Sequence, residues 1–148
     1  MNNHETVETL NSLLKTLHDG EKGYDDAASE ANNTSLQSFF TRMSKERGQF
    51  AARLEQEVQQ HGGDPETSGS TVAAFHRAWI DVRDAITGKD DESILKEVER
   101  GEERAEANFR DALNQKLPDS VAPIVRQQYE SIREALNEIK NLEVAHTA

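Results

Sequence analysis

The stretch that decides the fold is residues 62–90, GGDPETSGSTVAAFHRAWIDVRDAITGKD, because it separates two pairs of long apolar patterns. It opens with glycine and proline, which end the preceding helix, and small polar residues follow. Apolar side chains, including Trp79, then recur at helical spacing until Gly88. The stretch therefore predicts a loop followed by a short helix at about residues 71–87.

Four long amphipathic patterns flank this stretch, two before it and two after it. In each pattern, apolar residues recur at alternating steps of three and four, which places them on one face of a helix. Residues 32–33 separate the first pair and residues 117–120 separate the second. Thr34 followed by Gln37 is typical of a capping box at the start of the second helix. The predicted helices cover about residues 4–31, 34–61, 91–115 and 120–143.

The length of the connection selects the topology. Antiparallel neighbours need only a few residues between them, so a simple up-down-up-down bundle would not need residues 62–90. Two antiparallel hairpins joined by a long crossover have ferritin-like connectivity. We therefore predict an all-α fold, a ferritin-like four-helix bundle, as a single domain over residues 1–148. The short helix at 71–87 is expected to cover one side or end of the bundle.

Charge and composition exclude several classes of function. The 148 residues include 17 Lys+Arg and 28 Asp+Glu, which give a formal net charge of −11. This charge repels nucleic acid and anionic lipid headgroups. The absence of cysteine excludes disulfides and thiolate metal sites, and no apolar run approaches the roughly 18 residues of a membrane span. We predict a cytoplasmic protein with neither nucleic acid nor a membrane as its partner.

Two glutamates, Glu21 and Glu102, lie inside the apolar faces of the first and third helices. A carboxylate removed from water needs a cation, a metal or a proton beside it, because leaving it charged and unpaired costs several kcal/mol. We expect both side chains to be buried. Their partners then decide the chemistry of the core.

Helix register indicates partners for Glu21, since residues equidistant from a turn lie level across an antiparallel hairpin. In the first hairpin, Glu46 and Arg47 lie level with Glu21. The rotation of about 100° per residue turns Arg47, and not Glu46, toward the centre of the apolar face.

The same argument applied to the second hairpin places Gln128 level with Glu102. Gln128 points inward, while Glu130 points nearly the opposite way. If the turn centres on residues 118–119 instead, positions up to Ala135 come level with Glu102.

One interpretation is a buried polar network that needs no cofactor. Its members are Glu21, Arg47, Glu102 and Gln128. The guanidinium pairs with the carboxylates, and the amide completes the network as donor and acceptor. A guanidinium at the centre also repels a metal cation at the same depth. Tyr24 and Tyr129 are supporting residues that either hydrogen-bond the carboxylates or fill core volume.

The alternative interpretation is a divalent metal site built from carboxylates alone. Its candidate ligands are Glu21, Glu46, Glu102 and Glu130. Oxygen ligands of this kind suit manganese, magnesium or calcium better than a redox pair of iron ions. His18 and His76 lie toward the edges of their apolar faces, and we interpret them as hydrogen-bonded boundary residues.

A ferritin-like bundle with one glutamate on each of the first and third helices resembles the carboxylate-bridged di-iron proteins, including rubrerythrin and bacterioferritin. In that family the second and fourth helices each add Glu-x-x-His. Here the corresponding segments, residues 46–49 and 128–133, contain no histidine.

Other segments are similar to small bacterial ferritin-like four-helix-bundle proteins of unknown function. The similarity extends over nearly the whole chain, and its segments are residues 18–24, 46–52, 62–65, 76–79 and 99–102. It implies the fold, but no established reaction.

These observations lead to three hypotheses. The first is a non-catalytic bundle that, by analogy with other small ferritin-like bacterial proteins, has a stress-related role. The second is a carboxylate site that binds or oxidises a divalent metal. The third is a module that forms a homodimer or docks a protein partner through an exposed helix face, for which Trp79 is a candidate contact.

Overall fold

The computed structural model describes residues 1–67 and 90–147, and the described residues form helices without strands. The helices are α1 (Asn3–Glu30), α2 (Thr34–Gln60), α3 (Asp91–Leu113) and α4 (Ala122–Thr147). The predicted all-α four-helix bundle is confirmed, and α4 extends beyond its predicted end. The predicted helix at 71–87, with His76 and Trp79, lies outside the described residues. No described helix has the length and apolar character that a membrane span needs.

Asparagine and aspartate side chains cap the first three helices. Asn2 and Glu5 form a reciprocal capping box at the start of α1. The predicted capping box of Thr34 with Gln37 is wrong, because Asn33 caps α2 by accepting from the Leu36 amide at 3.0 Å. The side-chain amide of Gln37 instead donates to the carbonyl of Ala31 at 2.7 Å.

The helices have the predicted connectivity. The Asp91 carboxylate, at the start of α3, accepts from the backbone amides of Asn32 and Asn33 at 2.8 and 3.0 Å. Near the other end of α3, the Thr9 hydroxyl donates to the Gln115 side chain at 3.1 Å. Thus α3 runs antiparallel to α1, and it begins at the end of the bundle opposite the end of α2.

Buried apolar residues form two clusters along the bundle. The first includes Leu14, Leu54, Phe109 and Val125. The second includes Ala27, Phe40, Leu95 and Ile139. Between the two clusters, α2 contributes Arg47 and α3 contributes Glu102, both buried. The core therefore consists of two apolar halves separated by a charged layer.

The residues after α2 pack against α1. The Asn11 side chain donates to the Asp64 carbonyl at 3.0 Å and accepts from the Glu66 amide at 2.8 Å. His18 Nε2 lies 3.1 Å from the Glu66 carbonyl oxygen, in agreement with its interpretation as a hydrogen-bonded boundary residue. Residues 64–66 are therefore held along α1 by two side chains.

Gly63 packs closely against α1. A Cβ at this position would lie 2.5 Å from Val7 Cγ1. We expect Gly63→Ala to destabilise the protein by about 1–3 kcal/mol, because the β-branched Val7 has little rotamer freedom with which to move away. Urea denaturation measures this loss, and in a Val7→Ala background the glycine substitution should cost less. An equal cost in both backgrounds would contradict the contact.

Candidate functional site

The charged layer is built on a buried ion pair between α2 and α3. Arg47 Nη1 donates to Glu102 Oε1 at 2.5 Å, and each side chain is only 1% exposed. The charge of Glu102 raises the pKa of Arg47, although burial acts in the opposite direction. Both partners are removed from water, so loss of either one would leave an uncompensated charge in the core.

Tyr24 connects α1 to the same pair. Its hydroxyl donates to Glu102 Oε2, the carboxylate oxygen that Arg47 does not contact. The Arg47 guanidinium lies 5.5 Å from the centre of the Tyr24 ring. Burial, together with the negative charge of Glu102, raises the pKa of Tyr24 well above its usual value. The cluster of Tyr24, Arg47 and Glu102, called the core cluster below, therefore joins three helices.

Glu46 lies at the edge of the core cluster. Its Oε1 is 3.8 Å from Arg47 Nε, and its side chain is 33% exposed. Burial raises the pKa of the Glu46 carboxyl, the charge of Glu102 also raises it, and Arg47 acts against both. Glu46 is therefore a second carboxylate beside the guanidinium, but without a direct hydrogen bond to it.

The raised pKa of Glu46 has a consequence for stability. The pKa of Glu46 is higher in the folded state than in the unfolded chain, so ionising this carboxyl disfavours folding. The loss of stability is present at pH values above the ordinary carboxyl range and absent at pH values well below it. We expect Glu46→Gln to stabilise the protein by up to about 1 kcal/mol at neutral pH, with the gain fading toward about pH 4. Urea denaturation at both pH values, with Glu130→Gln as the exposed control, checks this. A gain that grows on acidification would contradict it.

Glu21 is not part of the core cluster, and the prediction that its side chain is buried is wrong. The side chain is 45% exposed, with His18 Nδ1 3.8 Å from its carboxylate. The predicted register of the first hairpin is nevertheless confirmed, since the Ser44 hydroxyl donates to the Glu21 carbonyl at 2.8 Å. Gly20, one residue earlier, faces Arg47, while the Glu21 carboxylate lies over Gly48.

Gln128 is buried as predicted, but its observed partner is different. Its side-chain amide donates to the carbonyl of Phe50 at 3.2 Å. In the second hairpin, the Tyr129 hydroxyl donates to Glu106 Oε1 at 3.0 Å, so Tyr129 lies level with Glu106 and does not reach the buried carboxylate. The predicted level pairing of Gln128 with Glu102 is therefore wrong.

The register of the second hairpin differs from the predicted one because of the turn between α3 and α4. The Pro118 carbonyl accepts from the amides of both Val121 and Ala122 at 2.9 Å. The turn is thus built around Pro118, as in the alternative that brings positions closer to Ala135 level with Glu102.

The structure does not bring the four candidate metal ligands together. Glu102 is buried in its ion pair, Glu21 is half-exposed beside α2, and Glu130 is exposed on α4. Within residues 1–67 and 90–147, no group of three or more histidine, aspartate or glutamate side chains is arranged to hold a metal ion.

Comparison with known proteins identifies the family. Residues 5–115 match the family model described as a domain of unknown function, DUF2383. The chain belongs to the DUF2383 family. No curated protein sequence matches it significantly.

Two solved structures are similar to this DUF2383 chain. One is a two-domain protein from Anabaena variabilis containing DJ-1/ThiJ/PfpI-like and ferritin-like domains, with a TM-score of 0.79 and 10% identity. The match covers 99% of this chain and 38% of that longer protein. The other is a mutant of Mycobacterium smegmatis Dps1, with a TM-score of 0.80, 9% identity and coverage of 95% and 96%. At these identities the similarity establishes the ferritin-like fold alone.

A groove between α1 and α3 of the DUF2383 bundle reaches two members of the core cluster. Its volume is about 140 Å³, and Tyr24 and Glu102 are among its lining residues. Gly20, Gly23 and Gly101 also line it. Glycine has no side chain to fill the space between the two helices, so these three positions leave the groove open.

Glu57 is a buried carboxylate that the sequence analysis did not identify. It is located near the end of α2, and Arg53 Nη1 donates to its Oε1 at 2.9 Å. The spacing of four residues between Arg53 and Glu57 could have indicated this ion pair, because residues four apart meet on one helix face. The half-exposed Arg53 identifies this pair as a boundary contact separate from the core cluster.

Proposed function

We propose that this DUF2383 protein is a non-catalytic ferritin-like bundle in which the core cluster takes the position of a metal centre. The observation that carries the proposal is the buried ion pair of Arg47 with Glu102 at 2.5 Å. In the di-iron proteins that the chain resembles, inward-facing glutamates of the bundle bind metal. Here the inward-facing Glu102 has a side-chain cation as its partner.

Electrostatics supports this proposal. Two like unit charges about 4 Å apart repel by about 4 kcal/mol at the effective dielectric constant near a protein surface, and the repulsion is larger for a divalent ion. A metal bound to Glu102 would meet this repulsion from Arg47. It would also have to displace the guanidinium or the Tyr24 hydroxyl, which engage the two oxygens of the carboxylate.

Metal analysis of protein purified without chelator tests the proposal. We expect less than stoichiometric iron, manganese and zinc in the wild type. Arg47→Ala removes the guanidinium that repels a metal ion beside Glu102, and Arg104→Ala, which removes an exposed arginine of α3, is its matched control. One or more equivalents of metal in the wild type, lost in Glu102→Gln, would overturn the proposal and favour the carboxylate metal site.

The stress-related role stays a prediction by analogy. Survival of a deletion strain and its parent after oxidative challenge checks it, and equal survival would count against that role. Dimerisation also stays a prediction, which sedimentation at increasing protein concentration checks. Among the large hydrophobic side chains of the described residues, only Met1 and Val144 are exposed.

A further inference from the structure

Polar atoms beside the core cluster are buried without a hydrogen-bond partner among the described residues. Two are donors, Nε and Nη2 of Arg47. One is an acceptor, Oε1 of Glu46. Buried polar groups in folded proteins are nearly always satisfied by protein or by ordered water. The clustering of unsatisfied atoms around one guanidinium therefore indicates a bound molecule.

The geometry limits where this molecule lies. Arg47 uses Nη1 for Glu102, which leaves Nε and Nη2 for another partner. Glu46 Oε1 is 3.8 Å from Nε, which is too long for a hydrogen bond. One water molecule can bridge two polar groups at this separation, with a hydrogen bond to each.

The chemistry of the surrounding atoms selects the ligand. The bound molecule must accept from Arg47 and donate to the Glu46 carboxylate. A halide has no proton to donate to the carboxylate, and both Glu46 and Glu102 repel any small anion, including one that carries a proton. A metal cation is repelled by Arg47. Water both donates and accepts hydrogen bonds, and it carries no charge that Arg47 or the carboxylates would repel.

We propose that the charged layer contains an internal water-binding site in which water bridges Nε and Nη2 of Arg47 to Oε1 of Glu46. The partly exposed side chain of Glu46 gives this water a route of exchange with solvent. The site uses the arginine of the core cluster, but it does not require that cluster to replace a metal centre. The two proposals can therefore fail separately.

A crystal structure at atomic resolution, combined with solution NMR, tests the water site. We expect density for a water molecule within hydrogen-bonding distance of both Arg47 and Glu46, and a nuclear Overhauser effect between water and the Arg47 Hε proton. A Glu46 carboxylate bonded directly to the guanidinium would overturn the proposal. Absence of the Overhauser effect, or an anomalous bromide peak at the site after a halide soak, would do the same.

Three variants make the test specific. Glu46→Gln keeps a side-chain acceptor and should retain the water signal, whereas Glu46→Leu removes the acceptor and should abolish it. Arg47→Lys keeps a cation for Glu102 but lacks Nε and Nη2, so the crystallographic water should be lost while metal content stays unchanged. Water retained in Arg47→Lys would contradict the assigned site, and metal gained there would count against the proposed function instead.

Discussion

Arg47→Leu is expected to destabilise the protein by about 3–5 kcal/mol, because it leaves the buried Glu102 carboxylate without its cation. Urea denaturation at neutral pH measures the change. Arg104→Leu, at an exposed position in the middle of α3, is the matched control, and we expect it to change stability by no more than about 0.5 kcal/mol.

A second variant separates loss of the pair from loss of packing. Replacing both Arg47 and Glu102 by leucine removes both charges together, and apolar replacement of a whole buried pair is often nearly neutral. We therefore expect the double variant to recover much of the stability that Arg47→Leu loses. If Arg47→Leu costs no more than Arg104→Leu, the buried pair does not stabilise the fold in the way described.

The other large effect is expected at Glu102. Glu102→Leu leaves the guanidinium of Arg47 buried without its carboxylate, which should cost about 3–5 kcal/mol. Glu21→Leu makes the same chemical change at a side chain that is 45% exposed, and we expect it to cost less than about 1 kcal/mol. Urea denaturation of the two variants in parallel measures the difference.

These two glutamates test whether the sequence pattern or the observed burial predicts the cost of a substitution. The apolar faces alone predict similar costs for Glu21 and Glu102. The observed burial predicts a large difference. If both variants lose the same free energy of unfolding, the Glu21 side chain is buried as well, contrary to the position of its carboxylate over Gly48.

The helices and their connectivity are predictable because they depend on patterns that repeat over many residues. Each apolar face recurs through several turns, so a single polar interruption does not obscure it. The length of residues 62–90 distinguishes the crossover topology from a simple bundle. The register of the first hairpin is also predictable, because the short turn at residues 32–33 leaves few choices for the residues of α1 that lie opposite Arg47.

The register of the second hairpin, α3 with α4, could not be predicted in this way. The turn between these helices contains several residues on which it could be centred, and the hydrogen bonds to the Pro118 carbonyl select among them. A shift of one helical turn moves the partner of a buried residue completely. Hence Gln128 could be predicted as buried, but not as the partner of the Phe50 carbonyl.

The position of Glu21 depends on detail smaller than one turn of helix. Adjacent residues differ in direction by about 100°, so Gly20 and Glu21 face different neighbours. A long carboxylate side chain can also extend toward solvent, and the missing side chain of Gly48 gives it room over α2. The apolar pattern correctly indicated a buried carboxylate at Glu102, but it does not contain this local geometry.

A crystal structure of the wild-type protein grown with manganese, with anomalous data collected at the manganese edge, shows whether Glu102 binds a metal ion. If the core cluster replaces a metal centre, Arg47 should remain bonded to Glu102 and no anomalous peak should lie within about 2.6 Å of the Glu102 oxygens. A manganese peak bonded to Glu102, with Arg47 displaced from it, would show instead that Glu102 is a metal ligand.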